Sequence, residues 1–364
     1  MGVSRCLASL VLVPLVSKIL KRARRWRSAH SEAAPWLEDP EEDAGSRQTR
    51  IFLQEYKQDC SRPERPRAQD DRPALLEVHV AYGADSGGRH AVGALSSMLS
   101  LGRSLADPGR CTIHLIVPRA GMTWARGLVE CFYRELAALP ATPRLQLHEM
   151  RPLPLNISRL KASHHQPGED YARLYASLEG EAFARLYLHE YLPPNASRVL
   201  WLDTDTIVRS DVGPLYRMRM EHTIAAVQDG RMWSLLSVRN GSLAGHVKDM
   251  FSPRMGSGVL LIDLDRWRAE KASKAVEVWI KRTGGAQGEQ AALAMHFQGR
   301  FDVLDWRWNV AHLGFYWKPI EPECIRDGRI LHWSGQHKPW RAFGRGANDG
   351  LYELPKMACA AVGL

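Results

Sequence analysis

The chain has 364 residues, 45% of them hydrophobic, enough to bury one large domain or two ordinary ones. Its formal net charge is +9, but Arg5, Lys18, Lys21, Arg22, Arg24, Arg25 and Arg27 meet no acidic residue before Glu32, so seven of those charges sit in the leader. The remainder is nearly balanced, which argues against nucleic-acid backbone binding by the fold.

In chain order, the leader (residues 1–30) holds "CLASLVLVPLVS", residues 6–17. This uncharged run is shorter than the roughly 20 residues of a spanning helix but has the length of a secretory h-region. The basic cluster "KRARRWR" follows it rather than preceding it, so an Arg-rich organellar transit peptide is the competing reading. Three of the chain's five asparagines head N-x-[ST] sequons, at Asn156, Asn195 and Asn240, and these favour the secretory route. The expected location is the Golgi lumen, with membrane association through the leader. Six cysteines form no C-x-x-C pair and no dense framework; Cys111 and Cys131 lie in apolar segments and read as buried thiols. Residues 31–72 are charged and proline-containing and read as a linker.

A folded domain is expected over residues 73–345, with a tail over 346–364. "ALLEVHVAY" reads as a strand, "RHAVGALSSMLSLGRS" as a helix and "CTIHLIVP" as a second strand, after which Leu128, Phe132 and Leu136 recur at helical spacing. A long helix is expected over residues 170–192. Alternation of this kind predicts an α/β fold with a mostly parallel sheet. "RVLWLDTDTIV" then runs four bulky apolar residues, Val199 to Leu202, into Asp203 and Asp205. An arbitrary D-x-D is more often just an acidic turn. A doubly buried strand, however, delivers such a pair to the carboxyl edge of the sheet, where ligands of open α/β folds bind. A second pair, Asp263 and Asp265, precedes the helical pattern "RWRAEKASKAVEVWIKR", so Asp265 reads as an N-cap. The first pair offers hard oxygen donors for Mg²⁺ or Mn²⁺; a nitrogen ligand tilts the choice to Mn²⁺. His332, which ends the apolar run of "RILHWSGQHKPW", is the candidate, although a lone histidine is more often a satisfied core residue.

Five landmarks stand in family order over residues 76–340: "RLYLHEYLPPNASRVLWLDTDTIV", "GSGVLLIDLDRWR", "GEQAALAMHF", "LDWRWNVAHLG" and "HWSGQHKPW". With these the chain resembles glycosyltransferase family 8, the group of glycogenin, bacterial galactosyltransferases and plant galacturonosyltransferases. The resemblance implies a GT-A type, Rossmann-like nucleotide-sugar fold. It implies a retaining, metal-dependent transfer from a UDP-sugar to a carbohydrate or glycoconjugate acceptor. By the same resemblance Asp203, Asp205 and His332 hold Mn²⁺, with Mg²⁺ as the alternative. Asp85 contacts the uridine, and Thr204, Gly335 and Lys338 belong with the donor, Lys338 at its diphosphate. Arg185 faces the donor sugar or Asp203, while Glu289 and Gln290 stand beside the anomeric carbon. Two positions depart from the family pattern: Gly256 and Ala294 replace asparagines, which leaves the transferred sugar open.

Two other classes fit parts of the sequence. "DTDTI" also resembles the first motif of haloacid-dehalogenase-type phosphatases, with Asp203 as nucleophile and Asp205 as general acid. A non-catalytic protein on the glycosyltransferase fold, binding a glycan or partner, would fit Gly256 and Ala294. UDP release with Mn²⁺ separates the three.

Overall fold

The computed structural model describes residues 60, 62–64, 67–88, 90–155, 180–228, 254–282, 288–314, 320–335, 337–340 and 349–352, all within the compact unit Glu55–Leu364. The leader, most of the expected linker, the sequons at Asn156 and Asn240 and the residues from 353 onward lie outside the described residues.

Strand β1 (Val78–Gly83) leads to helix α1 (Ala91–Ser104), β2 (Cys111–Val117), helix α2 (Met122–Glu135) and β3 (Arg144–Glu149). A 3₁₀ turn (Glu181–Tyr187) and the short helix α3 (Leu188–Tyr191) precede β4 (Arg198–Leu202) and β5 (Thr206–Val208). Next come β6 (Ile224–Gln228), β7 (Met255–Asp263), α4 (Leu264–Ala269), α5 (Ala272–Arg282) and α6 (Gly288–Phe297). The described chain continues with β8 (Asp302–Leu304), α7 (Pro322–Asp327) and β9 (Ile330–His332). Among the described residues seven strands form one sheet in the order β3-β2-β1-β4-β7-β6-β8, and β5 pairs with β9 in a separate ladder.

The expected parallel core is present: β1 pairs in parallel with β2 and β4, and β2 with β3. Strand β7 enters antiparallel between β4 and β6. The apolar runs explain the burial, because side-chain alternation gives each strand two covered faces. On β4, Leu200 and Leu202 join the cluster that includes α1 and α2, whereas Val199 and Trp201 face the cluster built on the 3₁₀ turn and α4 to α6.

Four expectations change. Of the helix expected over 170–192, the described part is a 3₁₀ turn followed by four α-helical residues. The cap of α4 is Asp263, whose side chain accepts from Arg266 N–H at 3.0 Å; Asp265 lies inside the first turn. Strand β7 runs through Asp263, so the helix begins two residues earlier than the apolar period suggests. Cys111 is a buried free thiol, but Cys131 is disulfide-bonded and Cys60 bridges to Cys324. Finally, the end of the expected linker is bound to the domain. Arg67 donates to the Val303 carbonyl at 2.5 Å and pairs with Asp302 at 3.5 Å, Gln69 bridges Met218, and Asp70 reaches the fully buried Arg198 at 3.3 Å.

Candidate active site and metal centre

Asp203 and Asp205 follow the carboxyl end of β4, and Asp85 follows that of β1, its parallel neighbour. The three carboxylates therefore share one edge of the sheet. Asp85 is fully buried; its Oδ1 accepts from His90 N–H at 3.0 Å and faces His90 Nδ1 at the same distance. The turn at Asp203–Asp205 is held from below by α1. Gly93 of that helix comes so near that an added Cβ would lie 2.9 Å from the Thr204 carbonyl oxygen. Ser97 Oγ meets Thr206 Oγ1 at 2.8 Å, and Ser100 Oγ accepts from Val208 N–H at 2.9 Å.

His332 reaches the pair through the β5–β9 ladder, in which Thr206 lies opposite His332. Trp333 N–H donates to the Asp205 carbonyl at 2.9 Å, closing that end. Ligand atoms of Asp203, Asp205 and His332 all lie within 4.8 Å of one another. His332 Nε2 is 3.2 Å from Asp205 Oδ1 and 3.8 Å from Asp203 Oδ2. Its other nitrogen, Nδ1, is 2.9 Å from Asn309 Oδ1. The amide oxygen can only accept, so Nδ1 is the nitrogen that donates to Asn309, and Nε2 is the one turned toward the carboxylates. That is the arrangement of a metal-ligating histidine with its outer partner. Gly258 makes room for the ring, since a Cβ there would fall 2.1 Å from His332 Cε1. Two carboxylate oxygens and one imidazole nitrogen suit Mn²⁺ or Mg²⁺, so the residues fit the expected cation.

Burial pushes the Asp205 carboxyl up, but Lys338 and His332 together outweigh it and hold Asp205 well below the usual carboxylate range. Lys338 Nζ contacts Asp205 Oδ2 and donates to the Trp333 carbonyl at 2.9 Å. Gly335, in the loop after β9, has φ +123°, a backbone conformation that favours glycine. Gly314 lies under this loop, where a Cβ would meet three carbonyl oxygens within 2.9 Å.

Arg185 and Glu289 stand beside the carboxylate pair. Arg185, 4% exposed, donates to Asp203 Oδ1 at 2.8 Å, to the Ser257 carbonyl at 2.6 Å and to the Ala182 carbonyl at 2.8 Å. It also pairs with Glu289 Oε1 at 3.3 Å. The expected contact between Arg185 and Asp203 is therefore present. Gln290 donates to the Met255 carbonyl at 3.1 Å, and Ser257 Oγ lies 3.3 Å from Glu289 Oε1 and 3.4 Å from Gln290 Oε1. Ala294 is buried with Met295 against Trp279. Sequence reasoning missed Trp201, Ser257, His90 and Asn309. Asn309 had a signal, the asparagine of "LDWRWNVAHLG", but its partner is 23 residues away.

A Rossmann-like sheet with an Asp-x-Asp turn and a distant histidine at its carboxyl edge defines a GT-A type glycosyltransferase fold. The galactosyltransferase LgtC, solved with donor and acceptor sugar analogues, superposes with a TM-score of 0.52 at 17% identity, covering 78% of this chain and 95% of that one. The glycosyltransferase GlyE of Streptococcus pneumoniae gives a TM-score of 0.52 at 18% identity, with 79% and 62% covered. The family model for glycosyl transferase family 8 matches residues 148–344, more than half of the chain, and the chain belongs to that family. Among curated relatives, the probable galacturonosyltransferase-like 3 of Arabidopsis thaliana is 28% identical over 177 residues, 43% of this chain and 49% of the relative. The human glycosyltransferase 8 domain-containing protein 2 is 27% identical over 189 residues, 43% and 53%. The match thus spans about half the length of these relatives.

Proposed function

We propose that this chain transfers a hexosyl, pentosyl or uronosyl group from a UDP-sugar to a glycan, protein or lipid acceptor, with retention of the donor's configuration and dependence on Mn²⁺. The observation that carries the reading is the orientation of His332, whose Nε2 faces Asp203 and Asp205 while Nδ1 lies against Asn309 Oδ1. Asp203, Asp205 and His332 would hold the cation, which supplies positive charge to a departing diphosphate. Lys338 adds a second positive charge on a flexible stem at the same end. Asp85 offers a buried acceptor for the N–H of a uracil ring. Glu289 supplies negative charge where the sugar carbon becomes electron-poor, and Arg185 keeps that carboxylate and Asp203 apart and in place.

The phosphatase alternative needs the second aspartate to deliver a proton, whereas Lys338 and His332 keep Asp205 ionised. The secretory, Golgi-lumenal setting is supported by the Cys60–Cys324 disulfide and by Asn195, which is exposed in the loop before β4. Among the described residues no helix is long and apolar enough to cross a membrane. A screen of UDP-sugars for UDP release with Mn²⁺ tests the reading. Asp203→Ala, Asp205→Ala and His332→Ala should each remove most of the release while the protein stays folded. Full release in excess EDTA would refute it.

A further inference from the structure

We propose that Trp201 is a positioning residue for the cation site, acting through Asp203; the inference rests on the metal-dependent reading above. Trp201 and Asp203 are two residues apart at the end of β4, so alternation along the strand puts both side chains on one side of the sheet. The indole N–H donates to Asp203 Oδ1 at 2.8 Å, the same oxygen that receives Arg185 Nη2 at 2.8 Å. With two donors on Oδ1, the carboxylate cannot rotate freely, and Oδ2 is the oxygen turned toward His332. Trp201 also acts on Asp203 by a second route. The Arg185 guanidinium lies over its ring, 4.7 Å from the centroid, so the indole face seats the cation that grips the carboxylate.

The surrounding chain is shaped for this indole. Gly83, the last residue of β1, lies where a Cβ would fall 2.9 Å from Trp201 Cη2. Trp201 is only 1% exposed, so its N–H needs a protein partner, and an ionised carboxylate gives a stronger bond than a neutral acceptor. A phenylalanine or tyrosine would fill part of the space but would carry no donor at the indole nitrogen's position. Trp201 is also a core residue packed with its neighbours; a purely structural role predicts a cost in stability and none in metal binding.

Two variants separate these roles. Trp201→Phe removes the N–H and some volume. Replacement of Trp201 by 3-benzothienylalanine keeps the bicyclic shape and puts sulfur in place of the N–H. Mn²⁺ affinity, read by electron paramagnetic resonance with and without UDP, should weaken about tenfold in both, the usual scale for losing an outer-shell partner of a metal ligand. The metal-free Tm of the benzothienylalanine protein should fall less than that of Trp201→Phe, because the bicyclic shape is kept. Unchanged Mn²⁺ affinity in that protein overturns the proposal, as does a loss confined to Trp201→Phe and matched by a lower metal-free Tm. Wild-type protein that takes up no Mn²⁺ overturns the metal reading itself, and this inference with it.

Discussion

Gly258 is where a single atom matters most. A methyl group there would overlap His332 Cε1, and the backbone at the same residue accepts from Asp203 N–H at 2.8 Å, so neither side can retreat without moving a ligand. Gly258→Ala should therefore lower Mn²⁺ affinity by at least roughly tenfold, the lower end of what disturbing a ligand's support costs. Isothermal titration with Mn²⁺ and UDP checks this, and an unaltered isotherm would show that His332 is not a ligand. The sugar end of the site has its own test. If Glu289 faces the anomeric carbon, Glu289→Gln lowers kcat far more than it weakens UDP binding. If it only completes the Arg185 network, it shifts the melting temperature and leaves kcat nearly intact. Steady-state kinetics beside a thermal melt decide between these.

At the scale of elements, three neighbouring strands carry a chain of histidines. His79 Nδ1 meets His114 Nε2 at 3.1 Å, and His114 Nδ1 meets His148 Nε2 at 3.0 Å. Ala81 pairs with His114 and Ile116 with His148, so each step climbs two residues along the slant of the parallel sheet. Burial lowers all three pKa values. His114, deepest, is lowered to about 3, first by desolvation and then by the two flanking rings. A histidine whose folded pKa is depressed contributes stability that is complete above its unfolded value, about 6.5, and is lost as pH falls toward the folded one. Between pH 7 and pH 5 His114 alone should remove about 2 kcal/mol. The carboxylates with lowered pKa, Asp70 and Asp205, lose their contribution only below about 3.9, their ordinary unfolded value. Urea midpoints at pH 7 and 5 should therefore fall more steeply for wild type than for His114→Gln. Equal slopes would mean that the imidazole is already charged in the folded sheet.

For the whole molecule, described residues between positions 60 and 72 tie the start of the domain to its body. Cys60 is bonded to Cys324 in α7, Glu64 pairs with Arg329 at 2.6 Å, and Asp70 meets Arg198 at the start of β4. The disulfide closes a span of 264 residues, which in the unfolded chain removes much conformational freedom. Cys60→Ser should cost about 2–4 kcal/mol of stability. Reduction and alkylation of the wild type should cost at least as much, because they also open the disulfide of Cys131. A melt insensitive to both would place the stability of the domain elsewhere. The surface bears a further expectation: Asn195 is exposed, so material from a secretory host should shift in gel mobility on endoglycosidase treatment, and part of that shift should vanish in Asn195→Gln.

Much of this was legible in the sequence. Uninterrupted apolar runs marked β2 and β4, helical spacing marked α2, and the motif order marked the family and the site, because these signals depend on residues near one another in the chain. Local signals also misled at edges. Asp265 looked like the cap of α4 until β7 was seen to extend through Asp263, and the charged 31–72 segment gave no sign that its last residues lie against the domain. Trp201 over Gly83, Asn309 behind His332 and Arg185 between Asp203 and Glu289 needed the tertiary structure. Each is a contact between residues far apart in the chain or an orientation that spacing does not encode, set by how β1, β4, β7 and β9 converge. The sequence determined which side chains could do the chemistry; the packing of the sheet edge decided which oxygen and which nitrogen each one presents.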